Sequence, residues 1–381
     1  MENKLLGLLT QFADMLQRDL FPRLEEEVGP LTERQRQLLT VLGLAKIEAA
    51  IPWRGVQVGR PPADRVALAR AFVAKAVWNL TTTRSLIDLL KADTRLRRIC
   101  GWERASQIPD ETVFSRAFAE FARTELPQRV HETLIVETQK ERLIGHISRD
   151  STATPARERP AKPVNVARAP QPGEPAKPRK QAKPRRKKGE PKPAEDMTRI
   201  ERQVSSMTLP EMLADLPRQC AVGCKTNSHG RKETWRGYKL HLDVADGQIP
   251  ISAVLTAANL HDCQVAIPLA TMTAQRVTSL YDLMDSAYDC KLIREHSRSL
   301  GHVPIIERLE RGKGLVPMAP AEAARYDERT AVERVNGRLK DEFGGRFVRV
   351  RGAMKVMAHL MFGILALTVD EILRLPLCPC L

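Results

Sequence analysis

The sequence lacks the features that would place the chain outside the cell or in a membrane. A secretory leader is not expected from its opening residues. Its seven cysteines, Cys100, Cys220, Cys224, Cys263, Cys290, Cys378 and Cys380, are scattered and odd in number. A disulfide framework is therefore not expected, and a reduced, cytoplasmic setting is. Zinc spacing is missing too: Cys220 and Cys224, followed by His229 and His241, match no usual ligand pattern. The most apolar late stretch, Ala353 to Val369, is interrupted by Lys355 and His359 and closed by Asp370 and Glu371. It reads as too short and too polar to span a bilayer. Negative charge is in short supply, with 46 Asp and Glu against 61 Lys and Arg and a formal net charge of +15. A polyanionic partner is the first reading of that surplus, because each Lys or Arg that neutralises a phosphate releases a counterion. An acidic membrane surface is the competing one.

What is present suffices for two or three domains with real cores: 381 residues, of which 43% are apolar. Leu5, Leu8, Leu9, Phe12, Met15 and Leu16 recur at helical spacing until Gly29-Pro30, and Thr32-Glu33 restarts a helix. After the stiff segment Val58 to Pro62, apolar spacing predicts one helix over 63–79 and another over 82–100. Asp110 can cap a further helix whose apolar face is Val113, Phe114, Phe118 and Phe121. Residues 1–140 are thus expected to be all-helical. Their arginines (Arg84, Arg95, Arg97, Arg98, Arg104, Arg116 and Arg123) suit a helix-turn-helix-like DNA reader as well as they suit solvated helix faces.

From Arg142 the texture changes. Leu143 to Arg149 reads as a strand ending in Asp150-Ser151-Thr152. Residues 155–195 then hold 10 of the 26 prolines, with 13 Lys and Arg against 4 Asp and Glu. Such a segment cannot bury a core; it is expected to be a disordered polybasic insert that binds phosphate non-specifically or serves as a linker. Beyond it, Thr208-Leu209-Pro210-Glu211 is a capping box opening a short helix. Strands are expected at 219–226, 233–245, 249–256, 279–284 and 302–306, with a turn at 227–230 and helices at 264–276 and 291–300. A last apolar helix covers 353–373. Three antiparallel strands followed by alternating helices and strands imply an α/β fold with a mixed sheet covered by helices.

Two strands end in an aspartate, Asp150 and Asp285. The stretch Tyr326 to Lys340 reads as a helix. At about 100° per residue, Tyr326, Arg329, Glu333 and Lys340 fall within a stripe about 60° wide. Spacing alone leaves this a solvated, salt-bridged face. Three hard oxygen ligands converging from Asp150, Asp285 and Glu333 would instead suit Mg²⁺. A lone Asp at a strand end is usually a turn or cap residue, and Asp262, Asp282 and Asp289 are read that way.

The spacing of Tyr326, Arg329, Glu333 and Lys340 is similar to the YREK signature of bacterial insertion-sequence transposases with an RNase H-like fold. Ile147 to Thr152, Leu283 to Asp289, Trp235 to His241, Pro250 to Ser252 and Asn259 to Asp262 also resemble that family. The resemblance extends more weakly to Gly59-Arg60-Pro61-Pro62 and Pro109 to Thr112; the polybasic insert departs from the family's shortest pattern. It implies a DDE transposase of two domains. Residues 1–140 would bind DNA ends, and 141–375 would be the RNase H-like catalytic domain, interrupted at 155–195. Asp150, Asp285 and Glu333 would hold two Mg²⁺ ions, with Mn²⁺ as a substitute. Tyr326, Arg329 and Lys340 would contact DNA. The partners implied are double-stranded DNA, as the element's terminal inverted repeats and the target, and a second copy in a homodimer, acting on the nucleoid in the cytoplasm. A metal-dependent nuclease without strand transfer and a catalytically inactive DNA-binding derivative remain the alternatives; the three filled acidic positions weigh against the second.

Overall fold

Helix starts in this chain are written as side-chain caps. The computed structural model, which describes residues 7, 9–12, 14–52, 63–160, 196–226, 230–310 and 314–375, realises several of them. A π-helical turn, Met15–Leu20, leads into α1 (Phe21–Val28), and α2 (Glu33–Ala45) starts at a capping box between Thr32 and Gln35. Asp64 accepts the Val66 and Ala67 N–H groups at the start of α3 (Arg65–Val77). The single helix expected over 82–100 is in fact two, α4 (Thr83–Ala92) and α5 (Thr94–Cys100). Asp93 divides them: its backbone is extended and its carboxylate caps the Leu96 N–H, so it closes one helix and opens the next. Asp110 caps α6 (Glu111–Arg123), and α7 (Leu126–Gln139) follows.

The sheet is mixed. Its order is β2 (Ala221–Thr226), β3 (Lys232–Ala245), β1 (Leu143–Pro155), β5 (Thr278–Met284), β6 (Val303–Ile306). β4 (Ile249–Ala257) pairs with the second half of β3, and β2 with the first. β1 is antiparallel to β3 and parallel to β5, and β5 is parallel to β6. A short β7–β8 hairpin (Leu309–Glu310 with Gly314–Leu315) stands apart from this sheet. Short α8 (Arg199–Ser205) and α9 (Leu209–Asp215), then α10 (Cys263–Arg276) and α11 (Lys291–Ser299), complete the α/β half with α12 (Pro320–Tyr326), α13 (Thr330–Asp341) and α14 (Ala353–Arg374).

β1 runs on to Pro155, so Asp150 lies in mid-strand, opposite Leu242 of β3, rather than at a strand end. The reason is pairing: β3 is 14 residues long and offers partners as far as Gly237. The ordered chain also enters what was expected to be insert. Glu158 accepts hydrogen bonds from the Tyr238 hydroxyl and the Gly352 N–H. The rest of that segment, 161–195, lies outside the described residues, as do Leu5, Leu8, Val58 to Pro62, Asn227 to His229, Cys378 and Cys380.

α14 is the spine of the core. Its 22 residues match the expected 353–373 to within one residue, and by length and composition it could cross a membrane, although the apolar stretch to Val369 reads as too short to do so. Its faces are covered instead, with Val356, Leu360, Phe362, Leu365, Leu367 and Val369 almost fully buried. Phe362 packs its ring against Phe72 of α3 and Phe118 of α6. Each such side chain contributes about 1.5–3 kcal/mol of burial free energy. One continuous apolar cluster joins these helices to Leu240, Leu242, Ile249 and Ile251 of the sheet.

Candidate active site

Parallel pairing of β1 with β5 sets the site. The last registered pair is Arg149 with Met284; the next residues are Asp150, still within β1, and Asp285, whose extended backbone leads out of β5 and caps a 3₁₀ turn. Because side chains alternate along a strand, the two aspartates share a face. It is the face on which Ser148 Oγ donates to the Glu328 carbonyl and Lys340 Nζ donates to Thr152 Oγ1. The opposite face carries Arg149, whose guanidinium grips Asp243 through two contacts of 2.7 Å. That buried clasp joins cross-strand neighbours and fixes which way Asp150 points.

The two aspartates are charged neighbours with too little compensation. Burial, then the like charges of Asp285 and Asp262, raise Asp150 to about 7, against the Ser151 N–H and Arg329, which lower it. Asp285 is raised by burial and by Asp262 and Glu307, although its carboxylate accepts the Ala287 N–H at 3.0 Å.

The stretch expected as one helix is broken. α12 ends at Tyr326, Asp327–Arg329 is a tighter 3₁₀ turn, and α13 begins at Thr330. α13 buries Ala331, Val332, Val335 and Leu339. Glu333 and Lys340 border that apolar stripe, and Arg329 reaches the same side from the turn. Its guanidinium donates to Glu333 Oε1 at 2.7 Å, lies 5.6 Å from the Tyr326 ring centroid, and feels the charges of Glu333, Asp150 and Asp285. It is the cation common to all three expected acids. Lys340 is held below its usual range by burial and by Lys225 and Arg346, opposed by Asp341 and Asp150.

Asp150, Asp285, Tyr326, Arg329 and Lys340 are therefore gathered on one side of the sheet. Glu333 joins them through Arg329, with its side chain 52% exposed. Among the described residues no three His, Cys, Asp or Glu are spaced as a ready-made metal cage.

Asp282 and Asp289 have ordinary structural partners, His302 with Ser297 and Arg294 respectively. Asp262 does not cap its helix, contrary to its reading as a cap. It stands at the N-cap position of α10 but makes no capping hydrogen bond; its carboxylate is taken by Lys239 Nζ at 2.8 Å. That ion pair was not read from sequence, because a contact between β3 and the start of α10 leaves no mark in local spacing.

A six-stranded mixed sheet, antiparallel through β4, β3 and β1 and parallel through β1, β5 and β6, with an aspartate pair near its centre, defines an RNase H-like domain. The chain belongs to the insertion-sequence DDE transposases: residues 217–369 match a family described as Transposase DDE domain, and residues 23–120 match a Transposase domain (DUF772). The first match spans Asp285 and Tyr326 to Lys340 and begins after Asp150. No curated protein and no solved structure matches the chain.

Proposed function

We propose that this transposase hydrolyses a strand at each insertion-sequence end and joins the freed 3′-hydroxyl to target DNA, using divalent cations at Asp150, Asp285 and Glu333. The observation that carries the reading is that Asp150 and Asp285 each directly follow the last registered pair of β1 and β5, Arg149 with Met284, and are both raised by burial and by neighbouring carboxylates. Hard oxygen donors short of positive charge are the donor set that Mg²⁺ or Mn²⁺ fits. Bound there, two cations would supply Lewis acidity to the attacking and leaving oxygens.

The protein's own part is positional. Asp150 is fixed by the β1–β3 and β1–β5 ladders, and Asp285 by its bond to the Ala287 N–H. Glu333, held by Arg329 in the structure, would be free to hold a cation if that guanidinium bonded a phosphate instead, where it makes short charge-assisted bonds. Tyr326 backs that guanidinium with its ring. Lys340, already anchored at Thr152, offers a second phosphate contact. The helices of residues 1–140 would bind DNA ends, with residues 141–375 as the catalytic domain, and a homodimer would hold two ends together on nucleoid DNA.

The test is incubation with Mg²⁺, labelled DNA carrying the element's terminal repeats, and a target plasmid. Joined products support transposition. Cleavage without joining would mean a nuclease, and binding alone a DNA-binding derivative. Glu333→Gln is expected to bind DNA like the wild type and to lose cleavage. Wild-type cutting by that variant would remove Glu333 from the site.

A further inference from the structure

Pairing with β5 ends at Arg149, and β1 runs on along β3 to Pro155. At Ala156 it gains a new neighbour: Val348, from the segment between α13 and α14, bridges it in parallel. The same region is tied to β1 at three further points. Lys340 Nζ donates to Thr152 Oγ1, Arg351 Nε to the Arg157 carbonyl at 3.0 Å, and the Gly352 N–H to the Glu158 carboxylate at 3.2 Å. Burial along the segment alternates as in a strand: Val348 is buried, while Phe347, Arg349 and Arg351 are exposed. Phe347, at 53%, is the one exposed aromatic ring among the described residues. A single exposed apolar side chain is ordinary on a protein surface. This one stands among exposed Arg157, Arg159, Arg346, Arg349 and Arg351. Across 155–160 and 343–355 the sequence holds one carboxylate, Glu158, and it is taken by the Tyr238 hydroxyl and the Gly352 N–H. Asp341, just outside, accepts from Arg346 at 2.9 Å. The surplus of guanidinium charge is complementary to a phosphate backbone, and an open ring beside it is complementary to a base. In a duplex the base faces are covered by their neighbours, so the ring's partner is an unpaired nucleotide.

We propose that Phe347, flanked by Arg346, Arg349 and Arg351, is a stacking platform for unpaired nucleotides of a DNA strand that runs along β1 from the Asp150 site. At about 3.3 Å per residue, Ala156 lies roughly 20 Å along the strand from Asp150, and Lys340 bonds β1 on the way. The ring therefore meets the strand about six nucleotides from the reacting phosphate, at 3.4 Å each. The inference rests on the functional reading above for the position of the cut; the stacking itself needs no cation.

The test is metal-free binding, which separates stacking from cleavage. The full-length chain is titrated in EDTA with a labelled oligothymidylate of about 16 nucleotides and, separately, with a mixed-sequence duplex of the same length. Thermal unfolding of each variant is recorded. Phe347→Ala is expected to bind the single strand about ten-fold more weakly than the wild type, with duplex binding unchanged. Phe347→Leu, which keeps apolar bulk but has no ring, is expected to lose as much, and Phe347→Trp to bind like the wild type. Arg349→Gln is expected to lower the slope of log affinity against log salt by about 0.7 on the single strand. Wild-type binding by Phe347→Leu, or equal losses on single strand and duplex, would overturn the platform and leave the functional reading standing. So would a Phe347→Ala variant that changes oligomeric state with its single-strand affinity intact, since the ring would then be a contact between copies. A wild type that binds neither DNA would overturn both readings.

Discussion

At the scale of residues, the Arg149–Asp243 pair shows how a buried charge serves a site it does not enter. Arg149 is 1% exposed and Asp243 is fully buried. Both guanidinium contacts are 2.7 Å, and Thr273 Oγ1 donates to the same carboxylate, also at 2.7 Å. Such a pair adds little net stability over well-packed apolar groups, but losing one partner strands a charge. Asp243→Asn should therefore cost about 3–5 kcal/mol in urea unfolding. The double variant Arg149→Met/Asp243→Leu should cost less than Asp243→Asn alone. If the double change costs more than Asp243→Asn alone, the clasp is a net stabilising element in its own right; if it costs the full sum of the two singles, the two residues are not coupled. The neighbouring Asp150 explains why an arginine is kept here: rotating β1 by one residue would swap the two side chains between faces.

At the scale of elements, most of the fold was legible, and the expected site residues were named, but the local geometry that brings them together was not. β3, β4, β5, α10, α11 and α14 sit within a residue or two of their expected bounds, because their apolar periods and end signals are local. The mid-strand place of Asp150 was not legible. It depends on how far β3 extends alongside β1, a long-range property. The break at Asp327–Arg329 was equally hidden, since a 3₁₀ turn between two helices leaves the polar spacing unchanged. Arg329 and Lys340 were legible as a charged stripe; that Arg329 serves three acids was not. A glycine decides another such long-range contact. Gly363 lies inside α14, where Ala would normally gain about 1 kcal/mol of helix propensity. A methyl there would run into the Phe343 carbonyl oxygen and crowd Leu339. Gly363→Ala should thus destabilise by about 1–3 kcal/mol, read as a lower urea midpoint. A higher midpoint would show that the segment after α13 can move aside.

At the scale of the whole molecule, one core couples the helices of the first 139 residues to the sheet, and three histidines, two fully buried and His359 partly so, sit at its seams. His131 of α7 bonds the Pro250 carbonyl of β4 and the Thr368 hydroxyl of α14, both at 3.1 Å. His359 of α14 bonds the Gly344 carbonyl at 2.9 Å, and His241 bonds Thr256 across β3 and β4. Burial pushes His131 and His359 down to about 3 and His241 to about 4. In the unfolded chain each would titrate near 6.5. Below that pH the unfolded state binds more protons, so the stability these groups contribute is full above about pH 7 and is lost as pH falls. From pH 7.5 to 5.5 each loses about 1.3 kcal/mol, roughly 4 kcal/mol together. Asp150 acts in the opposite sense. Raised to about 7, it holds a proton in the folded metal-free state that the unfolded chain releases, and it returns about 2 kcal/mol over the same range. The histidines outweigh it, so the melting temperature of metal-free protein should fall on acidification from pH 7.5 to 5.5. His359→Gln should flatten that decline whatever its effect at pH 7.5. A melting temperature that holds or rises across this range would mean that the seams open to let the imidazoles charge without unfolding.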